Sequence, residues 1–233
     1  YGLKSTGGVT FTKLLTLLAE KTEIKRLRFV TSHPKDVGAD LIEEFGKNPV
    51  LVPHFHLPVQ SGSTKILKEM RRQYSREQFL DIVTQLRLRA PTIKFSTDII
   101  VGFPGETDED FKQTLSLMKE IRFDQVYSFV YSPRPFTSAV KLSDDVPLAV
   151  KQERLRILQT LDKKITLEQN VAEVGKIEEV LVEEKDDEQE NPYLGRTLSN
   201  KVVHFQGEDL ASGDLVDVEI TQANPYSLYG KVL

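Results

Sequence analysis

The stretch Asp98-Ile-Ile-Val-Gly-Phe-Pro-Gly-Glu-Thr-Asp108 decides the fold class. Apolar Ile99 to Val101 run into a Gly-Phe-Pro-Gly turn. Asp108, Glu109 and Asp110 then open a helix, at the end where the dipole favours acids. Strand, glycine turn and helix in that order are the front half of a βαβ unit. The same alternation runs outward in both directions. Upstream, Thr10 to Thr22 predicts a helix with Leu14, Leu15, Leu17 and Leu18 on its apolar face. Arg26 to Thr31 predicts a strand broken by Pro34, and a helix follows through Leu41, Ile42 and Phe45. His54 to Val59 predicts a second strand. Ser63 to Met70 and Ser75 to Arg89 predict helices, the latter opened by a capping box of Ser75 and Gln78. Ile93 to Val101 is a third strand and Gln125 to Tyr131 a fourth, followed by a long amphipathic helix over Val150 to Val171. Four parallel strands are too few to close an eight-stranded barrel. The sheet is therefore open, or further strands lie upstream.

After Gly175 the period changes from helical to alternating. Lys176 to Glu184, Lys201 to Gln206, Leu215 to Thr221 and Tyr229 to Leu233 read as short strands, with an exposed acidic loop over Glu183 to Glu190. Several short strands in so few residues predict a small antiparallel β-barrel. Charge divides at the same place: residues 175–233 carry a balance of −8, residues 1–174 one of +4. Any contact of the tail with a phosphate backbone must then be local, because its overall field repels anions.

The 233 residues contain no cysteine, so the chain has neither disulfides nor thiolate ligands. His33, His54, His56 and His204 are too scattered for a convincing zinc site. No run of about 18 apolar residues is present to span a membrane. The start, Tyr1 to Gly8, has no initiator Met and no signal-peptide pattern, which predicts a chain that begins inside a longer protein. A cytoplasmic setting is expected.

Polar groups gather at the carboxyl ends of the predicted strands, where parallel α/β sheets bind ligands. Gln60, Ser61 and Ser63 follow the second strand; Ser61 and Ser63 also read as simple helix caps. Thr31, Ser32 and His33 follow the first. The glycine turn follows the third, and lacks the Gly-Lys-Ser/Thr of a phosphate loop. Arg134 follows the fourth, and Phe129 and Tyr131 share a face that structural grounds alone assign to the core. Met70-Arg-Arg-Gln-Tyr-Ser75 reads equally well as a basic site or a solvated helix end. Convergence of three polar strand ends describes a ligand site.

Taken in order, RLRFVTSHP from Arg26, HLPVQSGS from His56, MRRQYS from Met70, STDIIVGFPGETDEDF from Ser96 and YSFVYSPRP from Tyr127 resemble the MiaB family of radical S-adenosylmethionine methylthiotransferases. GRTLSN from Gly195, GDLVDVEIT from Gly213 and SLYGKVL from Ser227 resemble the TRAM domain of the same enzymes. The resemblance implies an α/β fold: a partial (β/α) radical SAM barrel over residues 1–172, then an RNA-binding TRAM β-barrel over 173–233. It implies S-adenosylmethionine as cofactor and two 4Fe–4S clusters in the intact enzyme, one on a CxxxCxxC motif. The implied reaction adds a 2-methylthio group to N6-isopentenyladenosine beside the anticodon of tRNA. The electron donor would be a protein such as a flavodoxin or ferredoxin. The departure is the absence of every cysteine, so this piece is expected to bind no iron and to be inactive alone. Two alternatives stand: action on threonylcarbamoyl-adenosine, or a catalytically silent RNA-binding module.

The resemblance carries over to particular residues. Gln60, Ser61 and Asp98 become candidates for the cofactor. The Ile100, Gly102, Phe103 and Pro104 strand end becomes a candidate for reading its adenine. Phe129, Tyr131 and Arg134 become candidates to face cofactor or flipped nucleotide. Arg196, Asn200, Lys201, Tyr226 and Tyr229 become candidates for the anticodon stem-loop.

Overall fold

The computed structural model describes residues 8–30, 33–133, 135, 138–186 and 188–233. Thr31, Ser32 and Arg134 lie outside the described residues. In the first part, α1 (Phe11–Lys21) and α2 (Ala39–Lys47) precede β1 (His54–His56). There follow α3 (Thr64–Glu69), α4 (Arg76–Arg89), β2 (Lys94–Val101), α5 (Asp108–Ile121), β3 (Gln125–Val130) and α6 (Leu148–Val171). The three strands pair in parallel in the order β1-β2-β3. The expected capping box forms at Ser75 and Gln78, and a second joins Thr107 to Asp110 at the head of α5. Phe55, Phe95, Ile99 and Val101 point to one side of the sheet and pack with Phe79, Leu86, Leu117 and Leu158 into one core. Burying such side chains is worth roughly 1.5–3 kcal/mol each, which is why the helices lie on that face.

Of the strand expected at Arg26 to Thr31, the described residues 26–30 form no ladder. They make a single parallel bridge, Leu27 to Leu51, closed by Leu27 N–H to Val50 O at 2.6 Å and Val52 N–H to Leu27 O at 3.0 Å. Pro53 has no N–H to continue the ladder, and His54 N–H turns back to Val52 O at 2.8 Å. The apolar alternation is still used, because Phe29 packs against Phe11, Phe45 and Phe55. The second strand is likewise shorter than expected, for Pro58 interrupts it. Thr97 bridges the gap, accepting from Val59 N–H at 2.9 Å and donating to Leu57 O at 2.8 Å.

The second part is a closed barrel of β4 (Ile177–Lys185), β5 (Tyr193–Thr197), β6 (Val202–Gln206), β7 (Leu215–Ala223) and β8 (Leu228–Val232), in the order β4-β5-β6-β8-β7. Four pairings are antiparallel, but β6 and β8 run parallel, so the barrel is not purely antiparallel. The strand β5 was not expected, because Gly195 interrupts its pattern. That glycine marks a close approach: a Cβ there would lie 2.4 Å from Leu181 O. Val180, Val182, Tyr193, Val203, Phe205, Val218, Ile220 and Leu228 fill the interior.

Polar ties fix the two parts together. Arg26 donates to Arg196 O at 3.0 Å and to the backbone and carboxylate of Glu179. Lys201 Nζ bonds Asn170 Oδ1 at 2.5 Å and lies 3.4 Å from Asp124. Asn170 in turn donates to Asn224 O at 2.8 Å.

Candidate functional site

At the carboxyl ends of β2 and β3 opens a cavity of about 590 Å3, lined among others by Gln60, Arg72, Asp98, Ile100, Phe103 and Tyr131. Gln60 is its most unusual member. It takes a left-handed backbone (φ 70°), rare outside glycine, while only 7% exposed. Its N–H donates to Asp98 O at 2.8 Å and its carbonyl accepts from Ile100 N–H at 2.9 Å, so the backbone kink is locked onto β2. Its side-chain amide has no hydrogen-bond partner among the described residues. Buried Tyr74 braces the approach, its hydroxyl donating to Val59 O at 3.0 Å; burial raises that phenol to about 12. Strain held this firmly beside a cavity points to a binding role.

The glycine turn forms the neighbouring wall. Gly102 (φ 71°) passes under Lys151, whose Cγ would sit 2.3 Å from an added Cβ. Glu106, absent from the expected site, turns out to organise this turn: its carboxylate accepts from Gly102 N–H at 2.7 Å and pairs with buried Arg154 at 2.8 Å. Burial nevertheless holds the Glu106 carboxyl above its ordinary value, against the pull of Gly102 N–H and Arg154. Phe103 meets Tyr131 edge-to-face at 5.0 Å, and Lys151 Nζ lies 5.2 Å from the Tyr131 ring while bonded to Asp144. Two expected backbone readers are already committed, Ile100 N–H to Gln60 O and Gly102 N–H to Glu106.

Ser61 is fully buried. Its hydroxyl accepts from Ser63 N–H at 3.2 Å and sits 3.5 Å from that of Thr114, so it supports the turn from below instead of lining the cavity. Ser63 caps α3 and donates to Asp110 at 2.7 Å. Burial opposes ionisation of Asp110, but donors from Thr107, Ser63 and Lys65 prevail and hold its carboxyl well below the usual range.

The inner face of the sheet stays open. Along β3, Tyr127 is 44% and Phe129 53% exposed, which corrects the core assignment of Phe129. Asp98 sits on the same face, with His56 Nε2 3.6 Å away and His56 Nδ1 2.9 Å from Ser96 Oγ. A groove of about 260 Å3 lined by Arg28, His56, Asp98 and Tyr127 continues from the cavity toward the closed barrel, and Asn200 reaches into it.

Residues 5–118 match the Radical SAM superfamily, and residues 171–233 match the TRAM domain. The chain carries a Radical SAM domain followed by a TRAM domain. It is 46% identical, over 99% of its length, to a tRNA-2-methylthio-N(6)-dimethylallyladenosine synthase of Clostridium botulinum, covering 51% of that protein. Relatives of the same name from Thermoanaerobacter pseudethanolicus and Syntrophobacter fumaroxidans are 45% and 46% identical over the whole chain. The chain spans about half the length of the curated relatives it matches. In fold it is similar to coproporphyrinogen III oxidase (HemN) from Escherichia coli, described as a radical SAM enzyme. The TM-score is 0.53 at 17% identity, over 94% of this chain and 54% of that one.

The TRAM residues expected to meet RNA divide into two kinds. Lys201 is not a surface cation: its side chain is 10% exposed and spent on Asp124 and on Asn170 of α6. Burial lowers the Lys201 ammonium from its ordinary value, the neighbouring Asp124 opposing that. Arg196 is half-exposed but pairs with Glu183 at 3.1 Å, so the acidic loop begins against it and not away from it. Asn200 (φ 69°) and Tyr226, 70% exposed, face the groove side of the barrel. Tyr229 stacks on His204 at 5.5 Å. Sequence reading missed Arg72, although the MRRQYS motif held it; a charged pair after a short helix gives no sign of facing a cavity. No helix is long and apolar enough to cross a membrane, among the described residues.

Proposed function

We propose that this chain is the cofactor-cradling and RNA-docking part of a tRNA methylthiotransferase that adds a 2-methylthio group to N6-isopentenyladenosine beside the anticodon. The observation that carries the reading is Gln60: a largely buried residue whose amide has no partner among the described residues, held in a strained backbone at the mouth of a cavity of ligand size. S-adenosylmethionine fits the donor set. Arg72 would take its carboxylate and Glu69 its ammonium, both lining the cavity with Gln60. Ile100 and Phe103 offer an apolar wall for adenine, Asp98 an acceptor for a hydroxyl or amine, and Phe129 and Tyr131 a surface for the target base. Gly102 and Pro104 shape the turn that forms that wall, and Ser61 braces the turn after Gln60 through Ser63 and Thr114. When bound, the cofactor supplies the methyl group and the adenosyl unit.

Iron–sulfur clusters do not fit these residues, because the chain has no thiolate to hold them. In this reading the clusters belong to a part of the whole protein outside these residues, and the electron donor, a flavodoxin- or ferredoxin-type protein, acts there. We set the domain boundary between residues 172 and 173. RNA would run along the groove, meeting Arg196, Asn200 and Tyr226 of the TRAM domain and, by sequence alone, Arg134. A cytoplasmic setting goes with a tRNA substrate. The names of the relatives favour the isopentenyl over the threonylcarbamoyl substrate.

The test is mass spectrometry of nucleosides from tRNA carrying N6-isopentenyladenosine. The tRNA is treated with the full-length protein, reconstituted clusters, S-adenosylmethionine and reductant. Gain of one methylthio group at that nucleoside is expected. Cofactor cleavage with no sulfur insertion into either prenylated or threonylcarbamoylated tRNA would overturn the reading.

A further inference from the structure

Between the radical SAM sheet and the TRAM barrel lies a second cavity, of about 470 Å3, that the cofactor does not use. Arg28, His54 and Tyr127 line it from the sheet side, Asp162 from α6, and Asn200 and Tyr226 from the barrel. We infer that this interdomain cavity holds a second nucleotide of the same RNA, separate from the one being modified. The inference rests on the RNA reading above and gives it a second contact point.

Four unspent binding capacities meet there. The exposed Arg28 guanidinium has no hydrogen bond or ion pair among the described residues, and the side chain facing it, His54, is kept uncharged by burial and by Arg28, its pKa lowered to about 4. A lone guanidinium of this kind suits a phosphate. Tyr226 presents an exposed ring, with Lys163 Nζ 5.9 Å from its centroid, and a ring of that sort is a stacking platform for any base. Asp162 Oδ1 is enclosed and unpartnered. Buried polar atoms without partners are scarce in native proteins and call for one. The Asn200 side-chain amide, also without a partner among the described residues, carries both donors and an acceptor. One cation, one ring and two groups that read a base edge are the elements by which proteins hold single-stranded nucleotides.

The cavity is also joined to the site of chemistry. It shares Arg28, His54, Gln125, Tyr127 and Asn200 with the groove, and the groove shares Asp98 with the cofactor cavity. From Gln125 to Phe129 is four strand steps, about 13 Å. That is near four stacked nucleotides at about 3.4 Å per step. The second nucleotide therefore lies within about four positions of the modified one. A free mononucleotide has the same chemistry, so the experiment must separate the two sources.

The experiment measures binding of the full-length enzyme to anticodon stem-loops, each with one abasic site within four positions either side of the target. The unmodified protein is compared with Asn200→Gly, which tolerates the left-handed backbone, and Tyr226→Ala at an exposed position. Unchanged melting temperatures show that both variants are folded. One abasic position other than the target should weaken binding of the unmodified protein about 10-fold, equal to about 1.4 kcal/mol. The same lesion should cost either variant little more. Fully additive losses at every position would overturn the second-nucleotide site. Free mononucleotides that compete as tightly as the stem-loop would overturn its assignment to RNA. Failure of the unmodified protein to bind any stem-loop would overturn the RNA reading itself, and this inference with it.

Discussion

The radical SAM sheet and the TRAM barrel use alternating side chains to opposite ends. In the barrel, Val180 and Val182 on β4 and Val218 and Ile220 on β7 turn inward and are almost fully buried. A closed barrel of this size is filled by its own side chains and leaves its interior no ligand space. In the sheet, the inward row of β3 is Gln125, Tyr127 and Phe129, and its aromatics are about half exposed. The three parallel strands of the described residues do not surround a lumen, so within this chain the face is open and the packed core lies on the helix side. A row that alternates in sequence thus builds a core in one domain and a ligand face in the other, and closure of the sheet decides which.

The sharpest test of that contrast removes a core aromatic. Phe205→Ala in the TRAM barrel, where Phe205 is fully buried and stacks on Tyr193 at 5.7 Å, should cost about 3–5 kcal/mol in denaturant unfolding. The loss should fall on the barrel's own transition. If the sheet melts with it in one step, the two domains are a single cooperative unit and the contrast fails.

Next in size is the tie between the domains. Lys201→Met leaves Asp124 with Lys94, 3.8 Å away, as its remaining ion-pair partner among the described residues. An isolated buried pair loses about 3–5 kcal/mol on such a change, and the remaining lysine reduces this to about 2–3 kcal/mol. Calorimetry should show the two domains' transitions further apart in the variant than in the parent. An unchanged thermogram would mean that Arg26 and the Asn170 bond to Asn224 suffice to dock the domains.

Asp162 gives a pH-dependent test. Burial pushes its carboxyl up from 3.8 to about 7, so the folded state holds a proton that the unfolded state releases. Its contribution is fully present below about pH 4 and is lost as pH rises toward 7. Asp162→Asn should therefore gain about 2 kcal/mol on the parent protein between pH 4 and 8, with allowance for the partial exposure of the carboxyl. Parallel stability curves across that range would place the titration elsewhere.

The smallest effect concerns Arg196, whose pair with Glu183 is half-exposed. Arg196→Ala should change stability by less than about 1 kcal/mol. In the full enzyme it should lower the salt dependence of stem-loop binding by about one phosphate contact. An unchanged slope would remove Arg196 from the RNA path.

Much of this was legible in the residues. The Gly-Phe-Pro-Gly turn and its acid-headed helix stand where Asp98 to Asp108 placed them, because glycines and caps act locally. Gln60 was legible as a strand-end polar group, but not its left-handed backbone, which follows from its two bonds to β2. The failures share a cause in long-range partners. Arg26 to Thr31 alternates like a strand but meets a proline-broken neighbour. Lys201 reads as a surface cation until α6 and Asp124 fold over it. Phe129 reads as core unless the number of strands beside it is known, and the chain does not state that number.

The most direct measurement of the central claim is therefore on Phe129. Phe129→Ala should leave the melting temperature of this chain unchanged within about 1 °C, since an exposed ring contributes little to packing. In the full-length enzyme the same change should lower affinity for S-adenosylmethionine or the stem-loop about 10-fold as the ligand face loses its ring. A drop of several degrees with both affinities intact would show that Phe129 belongs to a core after all, and that the open sheet is not the ligand face.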